Sequence, residues 1–189
     1  MLKICGGQWK GQFIKAPLGS DTRPTSAFLR ESIFNTLING FGHQPLKVLD
    51  LFAGTGALGL EALSYGAESA IFIESSAKAL KVIGQNIQKI ASKSKTKILS
   101  EKEILRWVGI LQMDPTYLPF DLAFCDPPYR KNFIPKVLKV LDLGNLWAED
   151  ALFVAEMSPD EAVPTHDKWQ NLKEKIHGDS KVVIFKRLK

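Results

Sequence analysis

The chain has 189 residues, enough for one domain with a well-formed apolar core. Lysine and arginine number 25 against 20 acidic residues, and the net charge of +5 suits a polyanionic partner but is as common on an ordinary solvated surface. The two cysteines and three histidines are scattered, which excludes a disulfide framework and indicates no metal site. No apolar run is long enough for a signal segment or a membrane-spanning helix, so we expect a cytoplasmic protein without a membrane partner.

The first 22 residues are predicted to form a small extension ahead of the main domain, which we place at 23–189. Residues 1–20 alternate loosely between apolar and polar side chains and contain several glycines, a pattern typical of a short β-hairpin. A helix is predicted to follow, with Thr25 or Ser26 as its N-cap and with Gly40 and Gly42 at its end. One face of this helix is predicted to carry the apolar side chains of Phe28, Phe34, Leu37 and Ile38.

Downstream, short apolar runs alternate with amphipathic helical patterns. Strands are predicted at 47–53, 69–74, 96–100, 120–125, 151–156 and 181–187. Helices are predicted at 57–65, 77–91, 102–111 and 132–142. Strands that alternate with helices form a mainly parallel sheet covered on both faces, and ligands then bind at the carboxyl ends of the strands. The sequence therefore predicts an α/β fold with its site at that edge.

The first candidate binding element is the glycine-rich turn that follows the strand at 47–53. Gly54 and Gly56 allow the backbone to approach a ligand where a side chain would clash. Glu74 ends the next strand, where a carboxylate can accept both ribose hydroxyls of an adenosine. Two alternatives stay open at this point. The segment can be a purely structural turn, and because 54–59 also matches G-x-G-x-x-G, it can belong to a dinucleotide enzyme.

The second candidate element is Asp126-Pro127-Pro128-Tyr129, directly after the strand at 120–125. An exocyclic amine of a nucleic-acid base is a poor nucleophile, because its lone pair is delocalised into the ring. Asp126 and the carbonyl of Pro127 can accept its two hydrogens and turn the lone pair toward a methyl donor. The prolines fix the backbone, and Tyr129 offers a face on which an extruded base can stack. A hydride-transfer enzyme has no use for this element, so it favours methyl transfer.

These residues also carry a family resemblance. DLFAGTGALGLEAL (50–63) and DPPY (126–129) resemble the motif pair of class I methyltransferases that act on amino groups. Together with GGQWKG (6–11) and RPTSAFLRESIFNTL (23–37), and in the same order, they resemble the RsmD family of bacterial guanine-N2 methyltransferases of 16S ribosomal RNA. The resemblance extends over nearly the whole chain. The block at 23–37 makes it specific, since general amino methyltransferases lack it.

That resemblance implies a Rossmann-like, mostly parallel sheet of seven strands with helices on both faces and an antiparallel last strand. It implies S-adenosylmethionine as the cofactor and no metal, because the cofactor carries the reactive methyl group. We expect a monomer that acts on small-subunit ribosomal RNA or on its assembly intermediate.

The same resemblance implies a set of site residues. The implied cofactor contacts are Asp50, Phe52, Ala53, Gly54, Gly56, Glu74 and Glu101. The target guanine would be held by Asp126, Pro127, Pro128 and Tyr129. A basic rim near the mouth of the site would bind RNA phosphates, which positions the RNA without reading its sequence. The predicted RNA contacts are Lys10, Arg23, Thr25, Arg30, Arg130 and Lys131.

Two other functions are weighed against this one. An enzyme of the same fold can methylate DNA adenine or a protein glutamine amide, since similar motifs serve those reactions. The N-terminal extension and the block at 23–37 disfavour it. A non-catalytic RNA-binding or assembly protein could have kept the fold alone. The joint presence of the glycine turn, Glu74 and residues 126–129 argues against that alternative.

Overall fold

The computed structural model describes residues 1–16, 26–41, 46–100, 115–142 and 145–188. At the N-terminus, β1 (Leu2–Lys3) and β2 (Phe13–Ile14) pair antiparallel, which confirms the predicted hairpin. A short 3₁₀ turn lies between them at Gly7–Trp9. Ile4 and Ile14 are buried in the same apolar cluster as the helices of the main domain, so the hairpin packs onto that domain. The division of the chain at residue 22 stays a prediction.

In the described part of the chain, seven strands form the main sheet, in the order β5-β4-β3-β6-β7-β9-β8. The strands from β3 to β7 pair in parallel, and β9 is antiparallel to both of its neighbours. This confirms the predicted fold class and the antiparallel last strand. The strands are β3 (Lys47–Leu51), β4 (Ser69–Glu74), β5 (Lys95–Ser100), β6 (Phe120–Cys125), β7 (Trp147–Met157), β8 (Trp169–His177) and β9 (Ser180–Arg187).

The strand order reverses at β3. The chain goes from β3 to β4 and β5 on one side, and then returns to add β6 and β7 on the other side. Such a reversal leaves a crevice at the carboxyl ends of the two strands that flank it, which is where open α/β sheets bind ligands. The glycine turn after β3 and the Asp-Pro-Pro-Tyr segment after β6 both lie at this edge.

Helices pack on both faces of the sheet. The described helices are α1 (Ala27–Phe41), α2 (Ala57–Ser64), α3 (Ala77–Ile90) and α4 (Phe133–Leu141). The first three contribute to one buried apolar cluster, and α4 contributes to the other. The helix predicted at 102–111 lies outside the described residues. None of the helices in the described ranges combines the length and the apolar character needed to cross a bilayer.

Helix α1 differs from its prediction in which side chains it buries. Leu29, Ile33, Phe34 and Leu37 are in the core, but Phe28 is 67% exposed. The predicted apolar face was therefore wrong at Phe28, because the buried stripe starts one residue later. The side chain of Ser26 accepts a hydrogen bond from the Leu29 N–H at 3.1 Å, which supports Ser26 as the cap.

The strand β8 has no counterpart among the sequence predictions. It pairs with β9 alone and forms an edge of the sheet. Trp169 is buried, whereas the residues after it are exposed or half-buried. Because both faces of such an edge strand meet solvent, its sequence lacks the alternation of apolar and polar residues by which strands are recognised.

Candidate active site

The turn between β3 and α2 bends through the left-handed region of backbone space. Gly54 and Gly56 have φ angles of 55° and 76°. A side chain at Gly56 would lie against Phe72, since an added Cβ would come within 3.3 Å of that ring. At Gly54 the nearest atom outside its chain neighbours is 3.8 Å from an added Cβ. Gly56 therefore permits the packing of the turn, whereas the backbone at Gly54 borders open space.

Phe52 adopts the same left-handed backbone without being glycine, with a φ of 57°. Such residues are uncommon, and they cluster at functional sites. Its ring packs edge-on against Phe133 at the start of α4, with the centroids 5.1 Å apart. The next residue, Ala53, is buried and donates its N–H to the carbonyl of Ile73. The turn is thus tied to both β4 and α4.

The far side of this turn is held by a buried asparagine. Asn86 of α3 is fully buried, and its side-chain amide donates to the carbonyl of Thr55 at 3.0 Å. The same side chain exchanges hydrogen bonds with the backbone of Lys15, which follows β2. Asn86 therefore connects the N-terminal hairpin to the turn. Sequence reasoning missed it, because a lone asparagine within a helix carries no motif.

Asp50 closes the first turn of α2 from inside the protein. Its Oδ2 accepts the Gly59 N–H at 2.9 Å, and the residue is 2% exposed. Burial raises the pKa of Asp50 well above its usual range. The hydrogen bond from Gly59 lowers this pKa, whereas the charges of Asp126 and Glu74 raise it further. The start of a helix is where dinucleotide enzymes bind a pyrophosphate. In this chain, the Gly59 N–H in the first turn of α2 is already bonded to Asp50, so a pyrophosphate would have to compete with that carboxyl group.

Glu74 is held at the end of β4 by three backbone N–H groups. Its Oε2 accepts from Gly54 at 2.8 Å, and its Oε1 accepts from Ser75 at 2.7 Å and from Ser76 at 2.8 Å. A carboxylate offers about four acceptor positions. Oε1 also accepts a longer bond from the Ser75 hydroxyl at 3.4 Å, so the position left for a ribose hydroxyl is on Oε2, where the sequence suggested that both hydroxyls would be accepted.

Asp126 lies at the same edge of the sheet. It follows Cys125, which pairs with Leu51 of β3 on one side and with Ala155 of β7 on the other. The pKa of Cys125 is raised well above its usual range by burial first, and then by the charges of Asp126 and Asp50. The carboxyl ends of β3, β4 and β6 therefore place Glu74 and Asp126 near enough to the buried Asp50 for their charges to raise its pKa.

Tyr129 is anchored by its hydroxyl and is partly exposed to solvent. The hydroxyl donates to Oε1 of Glu156 at 2.8 Å and lies 2.8 Å from the hydroxyl of Ser180, which also bonds to Glu156. Burial raises the pKa of Tyr129, and the nearby charge of Glu156 raises it further, against the Ser180 hydrogen bond. The residue as a whole is 37% exposed. Glu156 is 7% exposed, and its second oxygen has no hydrogen-bond partner within the described part of the chain.

Sequence reasoning missed Glu156 and Ser180, because each stands in an apolar strand without a motif. A glutamate inside the apolar run ALFVAE is the signal that could have indicated Glu156. A small pocket of about 30 Å³ lies between Tyr129, Glu156 and Phe133. That volume holds about one water molecule, so it does not enclose a base. Tyr129, which is partly exposed, is therefore the residue on which a base can lie.

The residues around Tyr129, from 127 to 131, lie at the same edge of the sheet. Pro127 is buried, whereas Pro128 and Lys131 are exposed. Arg130 is exposed and forms an ion pair of 3.2 Å with Asp160, and its N–H donates to Glu161. Both side chains of the pair are largely in solvent, and such pairs contribute little stability. The guanidinium of Arg130 can therefore exchange Asp160 for a phosphate at small cost.

The structure contradicts the predicted RNA contact of Arg30. This side chain is buried at the junction of α1, α2 and the hairpin, where its Nε donates to Glu61 at 3.2 Å. Its Nη2 donates to the carbonyl of Lys3 at 2.7 Å. Glu61 is equally buried and also accepts the N–H of Cys5. Arg30 therefore has a structural role, and sequence reasoning missed Glu61 as its partner.

The remaining predicted site residues are distributed as follows. Lys10 is exposed on the N-terminal hairpin, where a phosphate could reach it. Arg23, Thr25 and Glu101 lie outside the described residues. Within the described ranges, no three histidine, cysteine or acidic side chains are grouped so as to hold a metal ion.

Comparison with known proteins identifies the family of this chain. The family described as "Conserved hypothetical protein 95" matches residues 2–186. The chain belongs to this family. A separate comparison with curated proteins supports the resemblance seen in the sequence motifs, since its matches include "Ribosomal RNA small subunit methyltransferase D" of Escherichia coli K12. That protein is 29% identical over 187 residues, which cover 98% of this chain and 90% of the relative.

Two further relatives agree. The protein of the same description from Haemophilus influenzae is 30% identical over 177 residues, covering 94% of this chain and 89% of that relative. Among solved structures, yhhF of Escherichia coli matches with a TM-score of 0.81 at 28% identity, covering 98% of this chain and 97% of that one. The family fold thus extends over the hairpin and the sheet together.

Proposed function

We propose that this chain is an S-adenosylmethionine-dependent methyltransferase that places a methyl group on the exocyclic N2 of a guanine in small-subunit ribosomal RNA. One observation carries the proposal. The carboxyl groups of Asp50, Glu74 and Asp126 stand at the ends of the neighbouring strands β3, β4 and β6, at the ligand-binding edge of the sheet, and Glu74 is bonded to the glycine turn. An edge that carries Glu74 and Asp126 attracts a cationic sulfonium and repels a pyrophosphate. It therefore favours S-adenosylmethionine over a dinucleotide, although the glycine turn alone fits both.

The residues around the turn fit the cofactor. The open space at Gly54 admits a ligand next to the backbone, and the remaining acceptor position of Glu74 suits a ribose hydroxyl. When bound, S-adenosylmethionine supplies an electrophilic methyl group. Phe52 and Ala53 border this space, and Glu101 is proposed as a contact to the adenine. Asp50 and Gly56 support the turn from beneath.

On the substrate side, each residue has a distinct task. Tyr129, held through its hydroxyl, presents its ring to the target base. Asp126 and the carbonyl of Pro127 accept the two hydrogens of the amine, and Pro128 limits the backbone freedom of both. After methylation the nitrogen is acidic enough to lose a proton to Asp126 or to water. Alignment contributes most of the rate, with a smaller electrostatic share from Asp126.

The relatives support RNA as the substrate, since their descriptions name ribosomal RNA of the small subunit. Lys10, Arg130 and Lys131 are exposed and can bind phosphates. Arg23 and Thr25 belong to the same proposal. The same-fold alternatives, methylation of DNA adenine or of a protein glutamine, use the same acceptor groups for the amine. They are distinguished by the product.

The test identifies that product directly. The purified chain is incubated with S-adenosylmethionine and either 16S ribosomal RNA or small ribosomal subunits that lack base methylation. The RNA is then digested to nucleosides and analysed by mass spectrometry. We expect N2-methylguanosine and its absence with an Asp126→Ala variant. Methylated adenine in DNA or methylated glutamine would assign the same-fold alternative. Binding of RNA and cofactor without any methylated product would indicate a non-catalytic protein.

A further inference from the structure

A groove lies between α1 and the edge strand β8, outside the site described above. Its volume is about 380 Å³, and it is lined by side chains of both elements. Lys173 and Lys175 stand two residues apart on β8, so both project from the same face of the strand. Both are exposed. The Nζ of Lys175 donates to the hydroxyl of Ser32 on the opposite wall at 2.7 Å.

An exposed aromatic side chain stands at the same surface. Phe28, in the first turn of α1, is 67% exposed although it is a large apolar residue. Its ring contacts His177 of β8 edge-on, with the centroids 5.3 Å apart. A face of the phenylalanine ring is thus available to solvent beside two lysines. Aromatic faces interleaved with cationic side chains are the arrangement by which proteins bind single-stranded nucleic acid.

A short chain of contacts links the groove to the proposed catalytic segment. His177 pairs with Ser180 across the turn between β8 and β9. The hydroxyl of Ser180 lies 2.8 Å from that of Tyr129. One cross-strand pair therefore separates the aromatic contact of Phe28 from the residue that anchors Tyr129. An RNA strand whose target base lies on Tyr129 can continue directly into the groove.

We infer that this groove binds single-stranded RNA flanking the target nucleotide, with a base on Phe28 and phosphates on Lys173 and Lys175. The inference rests on the proposed function, in that it gives the RNA substrate a second contact surface. Glu31 lines the same groove and opposes the phosphates with its negative charge. Glu31→Gln should therefore strengthen RNA binding, while the two lysine variants weaken it. A surface that met only protein or solvent would not show these opposite effects of charge.

The experiment measures RNA affinity as a function of salt. The probe is a fluorescein-labelled, guanine-containing single-stranded RNA of about 12 nucleotides, read by fluorescence anisotropy. Lys173→Glu combined with Lys175→Glu should weaken binding about ten-fold or more and reduce the salt slope by about 1.4, because each phosphate that is no longer neutralised accounts for about 0.7. Phe28→Ala should weaken binding about ten-fold with little change in the slope. Lys136→Glu with Lys139→Glu, two exposed lysines of α4 on the other face of the sheet, is the matched control.

Each outcome decides the inference. Weaker RNA binding confined to the groove variants, with S-adenosylhomocysteine binding and thermal stability unchanged, supports it. Equal affinity of the groove variants and the parent overturns it, and so does an equal weakening in the α4 control. If the groove variants bind RNA normally but methylate ribosomal subunits poorly, the groove contacts a ribosomal protein and the inference is wrong. A parent chain that binds ribosomal subunits but not this RNA overturns the inference alone, and a parent chain that binds neither this RNA nor 16S ribosomal RNA nor small subunits fails the proposed function as well.

Discussion

The hydroxyl of Tyr129 is hydrogen-bonded, and the residue is partly exposed. Substitutions can therefore separate the contribution of the hydroxyl to activity from that of the ring. Tyr129→Phe keeps the ring and removes one hydrogen bond to Glu156, so we expect kcat to fall only several-fold. Tyr129→Ala removes the ring and should cost about 1–3 kcal/mol of base stacking. Asp126→Ala should lower kcat roughly a hundred-fold. Asp126→Asn should be milder, because its carbonyl still accepts a hydrogen bond.

This ordering is measured as kcat for each variant, with the dissociation constant of S-adenosylhomocysteine as the control for the cofactor site. All four variants should bind that ligand nearly as the parent does. A Tyr129→Phe variant as inactive as Asp126→Ala would mean that the hydroxyl takes part in the chemistry. A fully active Asp126→Ala variant would remove the proposed site altogether.

Asp50 makes stability depend on pH. Burial raises its pKa in the folded chain above the unfolded value, so the folded state keeps this proton to higher pH than the unfolded state does. Stability from this group is therefore present at low pH and is lost as pH rises through the folded pKa. Asp50→Asn cannot ionise and can still accept the Gly59 N–H. We expect its Tm at pH 8 to exceed that of the parent by at least about 2 °C, which corresponds to roughly 1 kcal/mol.

The gain in Tm of the Asp50→Asn variant should shrink toward pH 4, where the parent keeps its proton on Asp50. Thermal unfolding of both proteins without ligand between pH 4 and pH 8 measures this difference in Tm. Asp167→Asn, at an exposed aspartate, is the matched control and should show no such trend. A variant that is less stable than the parent throughout this range would mean that Asp50 is ionised and well solvated in the folded chain.

The residues that could be predicted from the sequence are those that stand directly after a strand. Gly54, Glu74 and Asp126 follow or end strands whose apolar runs are plain, so their meeting at one edge follows from the parallel sheet. Glu156 could not be found in this way, because its role depends on Tyr129, which is distant in the chain. Arg30 looked like part of a basic rim, since nothing local reveals that Glu61, 31 positions away, is its buried partner.

At the scale of elements, a helix or strand can be predicted from the sequence when its buried side chains recur at a regular spacing. The strands buried on both faces and the helices α2, α3 and α4 have clear patterns, and their predicted bounds agree with the structure to within a few residues. The edge strand β8 is exposed on both faces and was missed for that reason. The strand β7 begins at Trp147, before its predicted start at 151, since an irregularity in its pairing with β6 interrupts the pattern.

The junction of α1, α2 and the hairpin gives a prediction at this scale. Arg30→Met leaves Glu61 buried without its cation and should destabilise the fold by about 3–5 kcal/mol. Adding Glu61→Gln removes the uncompensated charge and keeps an acceptor for the Cys5 N–H. The double variant should therefore be more stable than Arg30→Met alone. Urea unfolding of the parent, both single variants and the double variant measures the coupling.

The same variants test whether Arg30 also binds RNA. Salt-dependent RNA binding by the folded Arg30→Met chain should match that of the parent, because the side chain does not reach solvent. An unchanged free energy of unfolding together with a reduced salt slope would mean that Arg30 is exposed in solution and contacts phosphate after all.

At the scale of the whole molecule, the sheet order and the acidic group at its carboxyl edge are consequences of one topology. The reversal at β3 places β4 and β6 on either side of it, and each strand ends at or next to a carboxylate. The parallel order could be predicted from the alternation of strands and helices. The electrostatic coupling could not, because it depends on how deeply each carboxylate is buried. In the proposed function, this acidic edge favours a cationic methyl donor over a dinucleotide.

Thermal stability of the whole chain in the presence of ligand can distinguish a methyl-donor site from a dinucleotide site. S-adenosylhomocysteine at 100 times its dissociation constant stabilises the folded state by about 2.7 kcal/mol, which should raise Tm by roughly 5–10 °C. NADH at the same concentration should produce no shift. Glu74→Ala lowers affinity about ten-fold to a hundred-fold, since a hydrogen bond to a charged carboxylate contributes roughly 1.5–3 kcal/mol. It should therefore reduce the ligand-induced shift to about half or less.

The shift is compared within each variant, because Glu74→Ala also removes the acceptor of three backbone N–H groups and should lower Tm without ligand. Glu68→Ala, at the exposed amino end of β4, is the matched control and should keep the full shift. An undiminished shift in Glu74→Ala would mean that the ribose lies elsewhere. A chain that NADH stabilises and S-adenosylhomocysteine does not would bind a dinucleotide, because its acidic edge would then have failed to repel a pyrophosphate.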